Sequence, residues 1–369
     1  MLSKSRKNIQ NFTIWFIPLI IVSKIVRWTI MLPQLVWMSI GWGMLGTMNS
    51  GNIPPFRASV VEMSNAASVA VSNTIALCDF VNIFGIDTYV GWEIFITVIF
   101  NLFLWFAVNR FYRTHPEAGW RENVFIYLNI AVLNIFCLNL AKEPYQLIFF
   151  FLMAYAIKSG KTYRSKCILL IIVLILTVLF ARKYYAMIIM YFIVLQVLVA
   201  RWFDKINIDT KRGKKKLYVY IFLMFALFGV FHYFMMTYLS TENEDVYEEL
   251  VAANSRDATG AVSEITPFFP DGNPMLLALD YFIKIFRLMF PIELLIKGKM
   301  TYLFMIVYQY LLFMFIMRAF KGRHEKRFTR TIALYLYLAF LLCSAAFEPD
   351  FGSWVRHEGV AFPIILLIL

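Results

Sequence analysis

Apolar runs close to the length of a membrane span recur along almost the whole chain of 369 residues. A transmembrane helix needs about 20 mostly apolar residues, and about ten stretches come near that length. The first fills much of 12–46, although Pro18, Pro33, Lys24 and Arg27 interrupt it. The others lie near 88–108, 124–141, 144–158, 167–181, 184–200, 217–239, 301–318, 329–347 and 358–369. We therefore predict an all-α polytopic membrane protein, a single integral membrane domain over 1–369 with about ten transmembrane helices.

The segments that connect these runs alternate between a basic set and an acidic set along the chain. Among the 35 basic and 23 acidic residues, one alternate set of segments holds 23 basic residues but only five acidic ones. That set is 1–11, 109–123, 158–166, 201–216 and 318–330. Because cytoplasmic loops carry an excess of Lys and Arg, we predict that these five segments and the N-terminus are cytoplasmic. The acidic segments are predicted to lie outside, and Lys24 and Arg27 are left over inside the first apolar stretch.

Composition and motifs exclude several other classes of protein. The chain is 61% hydrophobic and 16% charged, with a net charge of +12, which is far from a soluble globular profile. Because the positive charge flanks the spans, anionic lipid headgroups suit it better than nucleic acid. Walker A, HExxH and GxSxG motifs are absent. Cys78, Cys137, Cys167 and Cys343 show no CxxC spacing, so we predict neither a metal site nor a cofactor.

Three of the predicted outer segments are long enough to carry a site: 47–87, 240–300 and 348–357. The largest begins with a strongly acidic stretch and continues with turn residues. From 274 to 296 the pattern becomes amphipathic, with Asp280, Lys284 and Arg287 at i, i+4 and i+7 on one face. We predict a helix there that packs against the membrane or covers a cavity.

Three charged pairs lie beside spans on the predicted outer side: Lys142–Glu143, Arg182–Lys183 and Arg356–His357. Charged residues at membrane depth are costly and tend to mark substrate pathways. The alternative interpretation is that they are interfacial anchors whose charged ends reach water. Arg182 and Lys183 are predicted to lie outside, although basic residues are usually more frequent in cytoplasmic loops. An anionic ligand such as a lipid-linked diphosphate would partner them, because guanidinium groups fit phosphate oxygens.

Three motifs stand beside these spans: Leu140-Ala-Lys-Glu-Pro-Tyr145, Phe180-Ala-Arg-Lys-Tyr-Tyr185 and Phe351-Gly-Ser-Trp-Val-Arg-His357. Together with a polar first outer loop and a long outer loop in the second half, they give a layout that covers most of the chain. This layout resembles bacterial polysaccharide polymerases of the Wzy type, including the EpsG-like members of exopolysaccharide and capsule clusters. Neither Arg182 nor Arg256 is followed by Gly at the Arg-x10-Gly spacing described for some O-antigen polymerases.

The resemblance implies an enzyme of the bacterial cytoplasmic (inner) membrane that joins repeat units carried on polyprenyl diphosphate. The leaving diphosphate needs fixed cations. Basic side chains can supply them, so no metal is expected. The acceptor hydroxyl needs a base. The predicted catalytic residues are Arg182, Glu143, Arg356 and His357. The predicted substrate-binding residues are Lys142, Lys183, Arg57, Arg256 and Asp350. The implied partners are the lipid-linked glycan, membrane lipid, a chain-length regulator and a flippase.

Other interpretations stay open beside this one. Asp350 could instead cap or orient its loop, and His357 could be a structural interfacial histidine. A lipid-sugar glycosyltransferase of the GT-C type would share the donor chemistry and would use an acid of the first outer loop, such as Asp79 or Asp87, as base. A transporter or flippase ranks third, because the chain shows no internal repeat and its outer charges lie at the membrane boundary, not at the midplane.

Overall fold

The computed structural model describes residues 2–31, 83–86, 89–138, 143–180, 185–200, 210–242, 263–266, 268–269, 274–298, 300–321, 328–348 and 350–369. Across these ranges the regular structure is helical, and an isolated β-bridge joins Glu264 to Asp350. The all-α prediction is therefore confirmed for the part of the chain that is described.

The helices are α1 (Leu2–Val26), α2 (Tyr89–Thr114), α3 (Trp120–Val132), α4 (Glu143–Ser159), α5 (Tyr163–Phe180), α6 (Tyr185–Val194), α7 (Lys211–Glu242), α8 (Pro274–Met289), α9 (Ile292–Lys297), α10 (Met300–Lys321), α11 (Phe328–Phe347), α12 (Phe351–Val360) and α13 (Phe362–Ile368). Helices α1, α3 and α6 each continue into a π-helical stretch: π1 (Arg27–Met31), π2 (Leu133–Cys137) and π3 (Leu195–Ala200).

Five helical segments are long and apolar enough to cross a membrane: Lys4–Thr29, Gly91–Thr114, Tyr163–Phe180, Tyr302–Phe320 and Phe328–Phe347. A sixth span results if α12 and α13, which are bent by 71° relative to each other, together form one broken span. The protein is thus a multi-pass membrane protein, with five or six candidate spans in the described residues. The predicted number of ten spans stays a prediction, as do the sidedness of the loops and the full crossing of 358–369.

The chain groups into two compact units. Unit 1 comprises 1–156, 176–183 and 356–366, and unit 2 comprises 157–175, 184–355 and 367–369. Each unit has its own buried core.

In unit 1, α1 packs against α2 and α3. The buried ring of Phe12 lies at the centre of this packing, with its centroid 5.0 Å from that of Phe16, 5.9 Å from Tyr112 and 6.0 Å from Tyr127. Near the end of α1 that is predicted to be cytoplasmic, the Ser5 hydroxyl donates a hydrogen bond to the Tyr112 carbonyl at 2.8 Å. These contacts fix the position of α1 along its neighbours.

A pair of buried amides joins α2 to π2 within unit 1. The Asn101 amide donates to Asn134 Oδ1 at 2.8 Å, and the Asn134 amide donates to Asn101 Oδ1 at 3.0 Å. Each amide also donates to the carbonyl four residues before it. Because both amides have partners, this polar pair can lie in an apolar setting without an unsatisfied donor.

In unit 2, α11 is buried along nearly its whole length, and α8 packs against it and against α7. The polar face of α8 is turned inward: Asp280 and Lys284 are buried, whereas Leu279 and Phe286 are exposed. The Asp280 carboxylate accepts hydrogen bonds from the backbone N–H groups of Phe268 and Phe269 at 2.9 and 2.8 Å. The predicted amphipathic helix of 274–296 is therefore divided between α8 and α9, and its polar side holds part of the preceding loop.

Candidate active site

Two cations in the first predicted span bind one buried carboxylate. Glu93 of α2 is 2% exposed, and its Oε1 lies 2.9 Å from Lys24 Nζ and 2.8 Å from Arg27 Nε. The second oxygen, Oε2, has no hydrogen-bond partner among the described residues. Because an isolated charge is very costly in an apolar interior, this convergence is what allows Arg27 and Glu93 to be buried and Lys24 to be half-buried in π1, α2 and α1.

The same two cations also bind the carbonyl end of π2. Lys24 Nζ donates to the Leu138 carbonyl at 2.7 Å, and Arg27 Nη1 donates to the Ile135 carbonyl at 2.9 Å. The last carbonyls of a helix have no partner within the helix, and they carry the negative end of its dipole. Lys24 and Arg27 therefore donate hydrogen bonds to these carbonyls and offset the negative end of the helix dipole where α3 and π2 end.

A carboxylate and a histidine meet beside this helix end. Glu143, the first residue of α4, places its Oε1 3.8 Å from Nε2 of His357 in α12. Both side chains are buried, at 2% and 6% exposure. The separation is within ion-pair distance but beyond a hydrogen bond. Pairs of acid and base in ligand-free sites are often this long and shorten when substrate binds.

Cys137 lies near both groups of charges. Its thiol donates a hydrogen bond to the Arg356 carbonyl at 3.4 Å. The charges of Lys24, Arg27, Glu143 and Arg356 all act on this thiol. The cluster in unit 1 therefore unites the ends of α1 and α3, the start of α4 and the middle of α12. We call it the unit 1 charge cluster: Lys24, Arg27, Glu93, Glu143, Arg356 and His357.

Two π-helical stretches lie in this cluster. Arg27 is the first residue of π1, and Cys137 is the last residue of π2. A π-helical turn widens the helix and leaves hydrogen-bond groups differently placed from those of an α-helix, and such turns are frequent at functional sites. Their presence in two helices that meet here marks the cluster as a functional candidate.

The structure brings together three of the predicted catalytic residues, namely Glu143, Arg356 and His357, within the unit 1 charge cluster. Five other predicted site residues lie outside the described residues: Lys142, Arg182, Lys183, Arg57 and Arg256. The same holds for Asp79 and Asp87 of the GT-C alternative. The roles of all these residues stay predictions.

Asp350 belongs to unit 2, where it organises its own loop. Its Oδ1 accepts hydrogen bonds from the Ser353 N–H at 2.9 Å and from the Ser263 hydroxyl at 3.3 Å. A Cβ added to Gly352 would lie 2.9 Å from the same oxygen, so glycine leaves the room that this contact needs. This geometry is that of a carboxylate capping the N-terminus of α12, which is the alternative role open to Asp350 from the sequence.

Three residues of the cluster were missed by sequence reasoning: Lys24, Arg27 and Glu93. Lys24 and Arg27 are exceptions to the sorting of charges by segment, and Glu93 lies inside the predicted span 88–108. The sequence does contain a signal for them, namely charged residues inside apolar runs. Such charges need partners of opposite sign at the same depth. Applied to this chain, that rule would have suggested that the two cations of the first span bind the carboxylate of the second.

Unit 2 holds a second buried polar group around Lys284. Burial lowers the pKa of Lys284 to about 8, while the charge of Glu348 acts in the opposite direction. The ring of His232 stacks on that of Tyr281 at 4.0 Å between centroids. The Tyr281 hydroxyl donates to the Leu342 carbonyl at 2.9 Å. These contacts join α7, α8 and α11.

The described residues contain no group of three or more His, Cys, Asp or Glu side chains placed to hold a metal ion. No family model, curated protein or solved structure matches the chain. The fold is that of a multi-pass α-helical membrane protein, and its unit 1 contains a cluster of charged residues.

Proposed function

We propose that the protein is a membrane glycosyltransferase that polymerises glycan repeat units. In the proposed reaction a glycan is transferred from a polyprenyl diphosphate donor to a hydroxyl of a second lipid-linked glycan, at the outer face of the bacterial cytoplasmic membrane. The observation that carries the proposal is the buried Glu143–His357 pair at 3.8 Å. It combines a group that can accept a proton with one that can relay it, inside a membrane protein.

The chemistry requires one bond to form and one to break. The acceptor oxygen bonds to the anomeric carbon of the donor, and the bond from that carbon to the diphosphate oxygen breaks. The acceptor proton passes to Glu143, with His357 beside it as partner. The electron pair leaves with the diphosphate, whose growing charge needs fixed cations. Arg356, together with the predicted pair Arg182 and Lys183, would supply them.

Transport of the same lipid-linked glycan is the second candidate. One observation favours it: α12 and α13 are bent by 71°, and the first of them carries Arg356, His357 and Glu358. Broken helices that carry polar groups at membrane depth are common in transporters. A transporter would move the lipid-linked unit across the bilayer without lengthening the glycan.

The decisive experiment uses the lipid-linked units that accumulate in cells lacking the gene. These lipids are extracted and incubated with the purified full-length protein in nanodiscs, and the glycans are separated by size. We expect a ladder of longer glycans together with release of free polyprenyl diphosphate. Exposed Glu117, on the loop after α2, gives the matched control Glu117→Gln, which should form the same ladder.

A parallel assay in sealed proteoliposomes follows the sidedness of the same lipid. Movement of the lipid without any lengthening of its glycan would replace the transferase by the transporter. Absence of both lengthening and movement would rule out both candidates.

A further inference from the structure

We propose that Lys24, Arg27 and Glu93 form a positioning network that holds Glu143 against His357. This inference rests on the proposed transferase activity, which it deepens by adding three residues to the site. The network does not contact the reacting atoms. It acts on the end of π2, from which the chain continues to Glu143.

The end of π2 is held from one side by the network. Lys24 Nζ binds the Leu138 carbonyl at 2.7 Å and Arg27 Nη1 binds the Ile135 carbonyl at 2.9 Å. Both cations are in turn anchored on Glu93 Oε1, which belongs to a different helix. A helix end that is bound by two anchored cations cannot shift along its axis without breaking charge-assisted hydrogen bonds, which are stronger than neutral ones.

The same helix end touches α12 on its other side. The Cys137 thiol donates to the Arg356 carbonyl at 3.4 Å. A Cβ added to Gly359 would lie 2.9 Å from Val132 Cγ1, which means that α12 approaches the end of α3 closely. The end of α3 and π2 is therefore packed against the helix that carries His357, while the chain that follows it begins α4 at Glu143. A displacement of this end would change the distance between Glu143 and His357.

Charge balance argues against the alternative that Lys24 and Arg27 bind the substrate anion directly. The two cations and Glu93 carry a net charge of about +1, and the carbonyl end of a helix contributes roughly −0.5. Most of the positive charge is thus already neutralised within the protein. An anionic substrate would gain little from this pair unless Glu93 moved away.

The test compares Lys24→Met and Glu93→Gln with wild type in the transfer assay. Because a misplacement of about 1 Å can cost about 10²-fold in rate, we expect kcat to fall by about 10- to 100-fold. KM should stay close to the wild-type value, since the network does not touch substrate. Lys24→Arg keeps a cation and should recover most of kcat. Lys4→Met is the matched control, because Lys4 lies on the same helix and donates to the Glu117 carbonyl in an exposed position.

A second measurement is independent of activity. Glu143→Cys and His357→Cys are combined with Cys137→Ser and with Ala at Cys78, Cys167 and Cys343, and the membranes are treated with a short bis-methanethiosulfonate reagent. We expect efficient cross-linking, and a fall toward the level of the single-cysteine proteins when Lys24→Met is added. If Lys24→Met does not fold, Glu93→Gln takes its place, because it keeps the shape and one acceptor oxygen.

Each result decides the proposal. Unchanged cross-linking and unchanged kcat in folded Lys24→Met or Glu93→Gln protein would overturn it. A raised KM with normal kcat would show that these residues contact substrate instead. If wild type makes no polymer, the transferase proposal fails, yet loss of cross-linking in the variants would still establish the positioning network.

Discussion

His357 Nε2 and Glu143 Oε1 lie 3.8 Å apart in a buried part of unit 1, although 213 positions separate the two residues in the chain. Glu143 starts α4 and His357 lies in the second half of α12, so neither residue meets the other by local structure. Their approach depends on the packing of α12 against the end of α3, where Gly359 meets Val132.

The first prediction concerns this pair. Glu143→Gln should lower the rate of glycan transfer by about 10²- to 10⁴-fold, because general acid–base catalysis contributes rate factors of that size. His357→Gln should also lower the rate, and neither change should lower the amount of protein in the membrane. Initial rates with extracted lipid-linked units measure the effect, and Glu117→Gln is the control. A Glu143→Gln protein with a wild-type rate would remove Glu143 from the mechanism.

The second prediction concerns Arg182, which lies outside the described residues. Arg182→Ala should abolish polymer formation, since loss of one electrostatic contact to a developing charge costs about 10²- to 10³-fold in rate. Arg182→Lys should recover only part of the activity, because an ammonium lacks the two-pronged fit of guanidinium to phosphate. The glycan chain lengths made by wild type and by both variants are compared.

The same assay is run with a chelator. We expect EDTA to have no effect, because protein cations are proposed to neutralise the diphosphate. Long polymer from Arg182→Ala would contradict the role of Arg182. Sensitivity to EDTA would favour the metal-dependent GT-C alternative.

The third prediction concerns topology. In a protein without native cysteines, Asn254→Cys should react in intact cells with a membrane-impermeant maleimide, because 240–300 is predicted to lie outside. Asn207→Cys, in the basic segment 201–216, should react only after the membrane is opened. Protection of the Asn254 position in intact cells would reverse the predicted orientation.

The fourth prediction concerns helix packing at Gly359. Gly359→Ala should lower the free energy of unfolding by about 1–3 kcal/mol, as an added methyl group in a tight contact does. Val132→Ala should restore part of the loss, since the built Cβ lies 2.9 Å from Val132 Cγ1. Thermal unfolding in detergent measures both. Gly229 in α7 has no described atom within 4 Å of a built Cβ, so Gly229→Ala should be neutral or stabilising. Equal effects of the two alanines would contradict the close contact.

The fifth prediction concerns Lys284 and pH. Burial lowers the pKa of Lys284 from 10.5 to about 8, with Arg287 acting in the same direction and Glu348, Asp280 and Asp350 opposing it. Between these two pKa values the unfolded chain holds the proton and the folded protein has released it, so folding is favoured as pH rises. The stability of wild type relative to Lys284→Met should therefore increase from pH 8 toward pH 10.5.

Melting temperatures across that pH range check this expectation. Exposed Lys297 in α9 provides the control Lys297→Met, which removes the same charge from the surface. A difference between wild type and Lys284→Met that does not change with pH would show that the buried ammonium does not titrate there.

The apolar runs alone predicted much of the fold. Helices α2, α5, α10 and α11 fall on predicted spans, because backbone groups in a bilayer must bond within their own segment and a long apolar run then has to be helical. The amphipathic pattern after Pro274 likewise predicted helix, although the chain divides it at Pro291. The count of spans could not be fixed, since several runs are shorter than 20 residues and α12 and α13 are bent by 71°.

The candidate site was only partly accessible from the sequence. Glu143, Arg356 and His357 could be proposed because each lies in a charged pair beside an apolar run. Which of these pairs meet could not be read from the chain, and the grouping of Glu143 with His357 required the packing of α12 on α3.

For Lys24, Arg27 and Glu93, too, the sequence determined one part of the site and the tertiary structure determined the other. The sequence determined that each is a charge within an apolar run, and hence that each needs a partner at membrane depth. Only the tertiary structure decided that one carboxylate oxygen serves both cations, and that both also reach the carbonyl end of π2. Helix formation depends on residues near in the chain, whereas the choice of partner depends on which helix faces pack together. That choice is made by contacts between segments far apart in sequence.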